Sequence, residues 1–77
     1  MKRAWLLIDV KGDPYKMKEK LGSVSLSNAK QLVEGVVRKE VLIHVEASKL
    51  SDLNSALQSF AGTPGVTGVT ILMIRPA

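Results

Sequence analysis

The chain contains no cysteine, one histidine and only three aromatic residues, one each of Trp, Tyr and Phe, among 77 residues. Without thiols there is no disulfide staple, no thiolate nucleophile and no cysteine metal site. This fits a reducing compartment, and the cytoplasm is the expected location. No apolar stretch approaches the roughly 20 residues of a membrane-spanning helix. The start, MKRAWLLIDVKGD, is basic and then apolar, but Asp9 interrupts it and no small-residue cleavage site follows. It reads as a strand rather than a signal peptide.

What the chain does have is a globular balance, 45% hydrophobic and 23% charged. The length fits a single domain over residues 1–77, and a core of that size supplies little stability by itself. Association with another chain is therefore expected. The formal charge of +4 and pI near 9.7 come from basic residues interspersed with Asp and Glu, the pattern of a mixed-charge surface.

The organising stretch is Val36 to Ala47, VVRKEVLIHVEA. After Glu40 it places Val41, Ile43 and Val45 on one face and Leu42, His44 and Glu46 on the other, the period of a strand. Upstream, Ala4 to Val10 has Leu6, Ile8 and Val10 on one face and Trp5, Leu7 and Asp9 on the other. Both of its faces are apolar enough to be covered. Asp13 and Pro14 open a helix to about Leu21, with Met17 and Leu21 as its buried stripe. Gly22 ends it, and Val24 and Leu26 act as plugs in the connection that follows. Ala29 to Glu34 reads as an edge strand, and Gly35 marks a hairpin into the central strand. Ser48 or Ser51 caps a second helix carrying Leu50, Leu53, Leu57 and Phe60 at helical steps. Gly62-Thr63-Pro64-Gly65 stops that helix, Gly68 to Ile74 forms the last strand, and Arg75 to Ala77 is a tail.

The resulting order, strand, helix, strand, strand, helix, strand, predicts a ferredoxin-like βαββαβ sandwich in the α+β class. Its antiparallel sheet has order 4-1-3-2, with both helices on one face. The opposite face carries Trp5, Leu7, Asp9, Leu42, His44 and apolar residues of the last strand. Such a face is expected to pack on its counterpart in a second subunit.

Four groups of residues invite chemical readings. Asp9, His44 and Glu46 combine two carboxylates with an imidazole, suited to a polarised substrate or a metal. No nucleophile or further ligand accompanies them, so they read as a polar island that fixes the register of association. Gly12-Asp13-Pro14 leads into a helix start and matches no phosphate-binding fingerprint, which leaves a capped turn. Thr63 to Thr70 is a glycine-rich corner with hydroxyls and backbone donors, readable as a ligand-lining loop or as a helix stop before a strand. RNA recognition on the sheet needs aromatics on both central strands, and RKEVLIHV has none.

VLIHVEASKLSDLNSAL followed by TPGVTGVTILMI resembles the second half of the RAM domain, the effector-binding half of leucine- and asparagine-responsive transcription regulators, which also exists as a stand-alone protein. AWLLIDVKGD resembles that family's opening strand and turn. The resemblance implies a dimeric α/β barrel formed through sheet faces and a small effector, such as an amino acid, held between dimers. The family's Gly-x-Tyr-Asp hairpin is altered here: Glu40 takes the Asp place, Lys39 the Tyr place, and the glycine falls two residues early at Gly35. No residues remain for the family's DNA-binding helix-turn-helix, so direct sequence-specific DNA binding is not expected.

The expected function is a non-enzymatic module that binds a small effector and oligomerises, without cofactor, metal or membrane contact. Its effector residues would be Arg38, Lys39 and Glu40 at the hairpin and Thr63, Gly65, Thr67 and Gly68 at the corner. The alternatives are a small enzyme of the dimeric α/β barrel type using Asp9 and His44, and a peptide-binding chaperone using the edge Ala29 to Glu34.

Overall fold

A computed structural model describes residues 1–76. The elements run β1 (Lys2–Val10), α1 (Pro14–Gly22), β2 (Ala29–Val37), β3 (Glu40–Ala47), α2 (Leu50–Ala61) and β4 (Val66–Pro76). Every strand pairing is antiparallel, and the sheet has the order β2-β3-β1-β4. This is the expected ferredoxin-like βαββαβ arrangement.

Alternation along the two central strands builds the core. Ala4, Leu6 and Ile8 of β1 and Val41, Ile43, Val45 and Ala47 of β3 are buried beneath the helices. From above, α1 contributes Met17 and Leu21, and α2 contributes Leu53, Ala56 and Phe60. Leu6, Ile8, Leu21, Ile43 and Phe60 are almost wholly removed from water. Each such side chain stabilises the fold by about 1.5–3 kcal/mol. Val24 and Leu26, in the connection after α1, pack against this cluster as expected.

Helix α1 begins as its sequence requires. The Asp13 carboxylate accepts the Tyr15 N–H at 2.9 Å, and Pro14 occupies the first helical position. At its other end the Gln31 amide of β2 donates to the carbonyls of Leu21 at 2.8 Å and Gly22 at 3.1 Å. A strand side chain thereby satisfies acceptors that the helix leaves unpaired.

Four local expectations are corrected. The β2–β3 hairpin turns at Arg38 and Lys39, both with left-handed φ (51° and 70°), and not at Gly35. Val36 and Val37 therefore belong to β2, opposite Val41 and Glu40, and Gly35 sits at a register shift that leaves Glu34 as the extra residue of a bulge. β-branched valines suit a ladder better than a turn, so the chain puts the tip directly after them. Neither Ser48 nor Ser51 caps α2. The extended residue before the helix is Lys49, whose carbonyl accepts the N–H groups of Asp52 and Leu53, while Ser51 lies inside the first turn. Asp52 places a negative charge near that N-terminus instead.

The third correction concerns β4, which runs two residues further at each end than Gly68 to Ile74. Arg75 and Pro76 thus lie in the strand, and Ala77 lies outside the described residues. The fourth concerns its faces: a register shift between Trp5 and Leu6 leaves Leu72 extra, so Ile71 and Ile74 pair with Leu6 and Ala4 toward the helices. Of the apolar residues on β4, Met73 is the one paired on the opposite face, against Trp5.

Candidate assembly face and effector site

The sheet face away from the helices is uncovered, and the strand register orders it into four rows. Across β2-β3-β1-β4 the first row is Lys30, Glu46, Arg3 and Arg75; the second is Leu32, His44, Trp5 and Met73. The third is Gly35, Leu42, Leu7 and Thr70, and the fourth is Val37, Glu40, Asp9 and Gly68. The face is thus basic at one end, apolar and aromatic across its middle, and acidic at the other end. All five residues expected at a subunit interface, Trp5, Leu7, Asp9, Leu42 and His44, lie on it.

At its centre the Trp5 and His44 rings stack with centroids 4.7 Å apart and planes 16° from parallel. The His44 side chain is mostly buried, and its Nε2 lies 3.8 Å from Glu46 Oε1 without a hydrogen-bond partner. Arg3 Nε approaches the same carboxylate oxygen at 3.6 Å. Ion pairs as exposed as Arg3 and Glu46 contribute little to stability singly. The two contacts hold the Glu46 charge beside Arg3 and leave the His44 ring free to pack.

Asp9 does not join His44. In the antiparallel register Trp5 opposes His44 and Asp9 opposes Glu40, so Asp9 lies four residues along the strand from the imidazole, about 13 Å away. A paired acid and base at these two positions is therefore not assembled within one chain. Among the described residues no cluster of three or more metal-ligating side chains occurs. Among the same residues no helix is long and apolar enough to cross a membrane.

Asp9 instead meets Glu40. Side-chain hydrogen bonding toward Asp9 is the main influence raising the Glu40 pKa above the ordinary carboxylate value, desolvation and the Asp9 charge add to this, and the Arg38 guanidinium opposes it. Gly68 flanks the pair on β4, where a Cβ would approach Asp9 Oδ2 to 3.3 Å. The absence of a side chain there keeps the Asp9 carboxylate accessible.

The residues expected to hold an effector divide into two sets. Arg38, Lys39, Glu40 and Gly68 gather with Asp9 at the acidic end of the open face. Thr63 and Gly65 are occupied in joining the corner to the helix layer. The Thr63 hydroxyl donates to the Ser59 carbonyl at 2.9 Å, and the Gly65 carbonyl accepts the Lys11 N–H at 2.8 Å. Gly65 has φ 95° and lies against Met17, a conformation and a space that suit glycine. Thr67 is exposed at the register shift between Asp9 and Val10.

The Asp9–Glu40 pairing was not read from the sequence, although it follows once Trp5 is set against His44. A second unread feature is an apolar groove of about 400 Å³ between α2 and β4, lined by Leu50, Leu53, Leu57, Ile71 and Ile74. Its sequence signal is the α2 stripe, of which only the inner part is buried; Leu50 remains exposed. No family model, curated protein or solved structure matches this chain.

Proposed function

We propose that the chain is a non-enzymatic assembly module that dimerises through the open face of its sheet and binds a small zwitterionic effector at the acidic end of that face. The layout of the four rows carries this reading. A two-fold axis in the plane of the interface and across the strands lays the basic row of one copy over the acidic row of the other, and the apolar rows over each other. An axis along the strands would superpose rows of like charge. The same surface on both chains is then complementary to itself in one orientation.

The effector site uses the residues at the acidic end. Arg38 and Lys39 would meet a carboxylate, Glu40 and Asp9 an ammonium group, and the space beside Gly68 leaves Asp9 within reach. An amino acid has both charges at the required close separation. This reading agrees with the RAM resemblance in kind, namely effector-linked assembly.

The test is solution mass by light scattering, together with thermal stability, over a panel of amino acids. The expected result is a dimer or larger species that gains stability with one of them, and a gain that Arg38→Ala abolishes. Arg38→Ala is the informative variant because Arg38 is exposed at a turn tip and outside the core. A monomer indifferent to every amino acid would overturn both parts of the reading. A dimer indifferent to them would overturn the effector part alone.

A further inference from the structure

The two edges of the sheet differ in how they are protected. β2 carries Lys30 and Glu34 and is bent by the bulge at Gly35, features that discourage another strand from adding to it. β4, at the opposite edge, bears no charged residue from Val66 to Ile74. Its Ile71, Leu72, Met73 and Ile74 are each 43–53% exposed, with the apolar groove beneath. The depletion extends through the neighbouring helix: between Leu50 and Ile74 the single charged residue is Asp52, and every other charge of the chain lies elsewhere. An uncharged, apolar edge with unpaired backbone donors and acceptors is the surface of a strand-addition site.

We infer that β4 pairs antiparallel with β4 of a second copy, joining two sheets into one of eight strands. Charge selects this occupant. Each copy carries a net charge of +4, and apart from Asp52 on α2 its charged residues lie on β1, α1, β2, β3, the connections and the far end of β4. Edge-to-edge pairing at β4 brings two copies together along the uncharged side and keeps most like charges apart. A charged partner would gain nothing from this edge. The contact is isologous: each copy offers both the exposed apolar strand and the groove beside it, and α2 of each copy comes to lie beside α2 of the other over the shared sheet.

Edge pairing has its two-fold axis normal to the sheet, at the middle of β4. The axis proposed for the open face runs across the strands at mid-sheet. The two are perpendicular and meet, so using both contacts closes the assembly at four chains, as two eight-stranded sheets face to face. The count of four rests on the face-to-face reading; the edge contact does not.

The experiment is the solution mass of four proteins: the parent chain, Leu72→Lys at the edge, Leu42→Arg on the open face, and the double variant. Circular dichroism checks that each remains folded. The expected masses are four times the 8.3 kDa of one chain for the parent, half the parent mass for either single variant, and one chain for the double variant. Asn54→Lys, an exposed substitution at the mouth of the groove, is expected to halve the parent mass as well and guards against misfolding at Leu72. A parent dimer split by Leu42→Arg but unaffected by Leu72→Lys and Asn54→Lys overturns the edge contact and leaves the face reading intact. A parent dimer split only by the edge variants supports the edge contact and overturns the face reading. A monomeric parent overturns both.

Discussion

Asp9 and Glu40 oppose each other across β1 and β3 at the end of the open face, and this proximity raises the Glu40 pKa above its ordinary value. A carboxyl whose pKa is raised on folding is bound to its proton more often in the folded than in the unfolded chain. Its contribution therefore favours folding below the ordinary carboxylate value of 4.5 and is lost as pH rises through the raised value. We expect Glu40→Gln to increase the melting temperature near neutral pH and to flatten the fall in stability above about pH 4.5. Thermal melts across that range, at protein concentrations low enough to keep the chain dissociated, check this. An unchanged slope would show that Asp9 does not raise the Glu40 pKa.

Trp5, the only tryptophan, lies in the middle of the open face. For the proposed face-to-face dimer, its emission is expected to shift to longer wavelength on dilution, as the face meets water. The dilution midpoint should move to higher protein concentration as salt is raised, because salt screens the attraction between basic and acidic end rows. Emission that does not change with concentration, in a protein shown to be a dimer, would place Trp5 outside the contact.

The hairpin tip stores a small cost that a substitution can relieve. Lys39 has φ 70°, and a residue with a Cβ in this conformation costs about 1–2 kcal/mol relative to glycine. Lys39→Gly is expected to stabilise the fold by on the order of 1 kcal/mol, since the glycine also has more freedom to lose on folding. Urea denaturation measures the difference. A loss of stability would mean that the lysine side chain makes a contact worth more than the strain.

Phe60 is the largest side chain fully enclosed between α2 and the sheet. Phe60→Ala should cost about 3–5 kcal/mol, the usual range for such a cavity. In a chain of this size that is a large share of the total, so the variant is expected to be mostly unfolded by circular dichroism at ambient temperature. The exposed Leu50→Ala, on the same helix, is expected to remain folded and to cost less than about 1 kcal/mol.

The fold was legible where periodicity and burial agree. The alternation of Val41, Ile43 and Val45 and the spacing of Leu53, Leu57 and Phe60 specify a strand and a helix whose apolar sides must meet. The hairpin tip was not legible, because Arg38 and Lys39 carry no turn signal and adopt left-handed φ only because the valines before them pair in the ladder. Gly35 was misleading for the same reason: a glycine inside a strand marks a bulge as readily as a turn. The helix start at Lys49 was hidden as well, since its backbone carbonyl, and no side chain, makes the capping contacts. For the site, the sequence identified the polar residues of the open face but not their partners. Which carboxylate meets which group depends on strand register, and a long-range register has no local signature.

Helix α1 is fastened at both ends of its last turns to opposite sides of the molecule. Gln31 of the outer strand β2 holds the Leu21 and Gly22 carbonyls, while Lys20 Nζ donates to the Pro64 carbonyl at 3.1 Å and Met17 rests on Gly65. The helix therefore works as a crossbar between the β2 edge and the corner from which β4 departs. The helix thus ties together the two borders of the sheet, which lie on opposite sides of the central strands and share no backbone pairing.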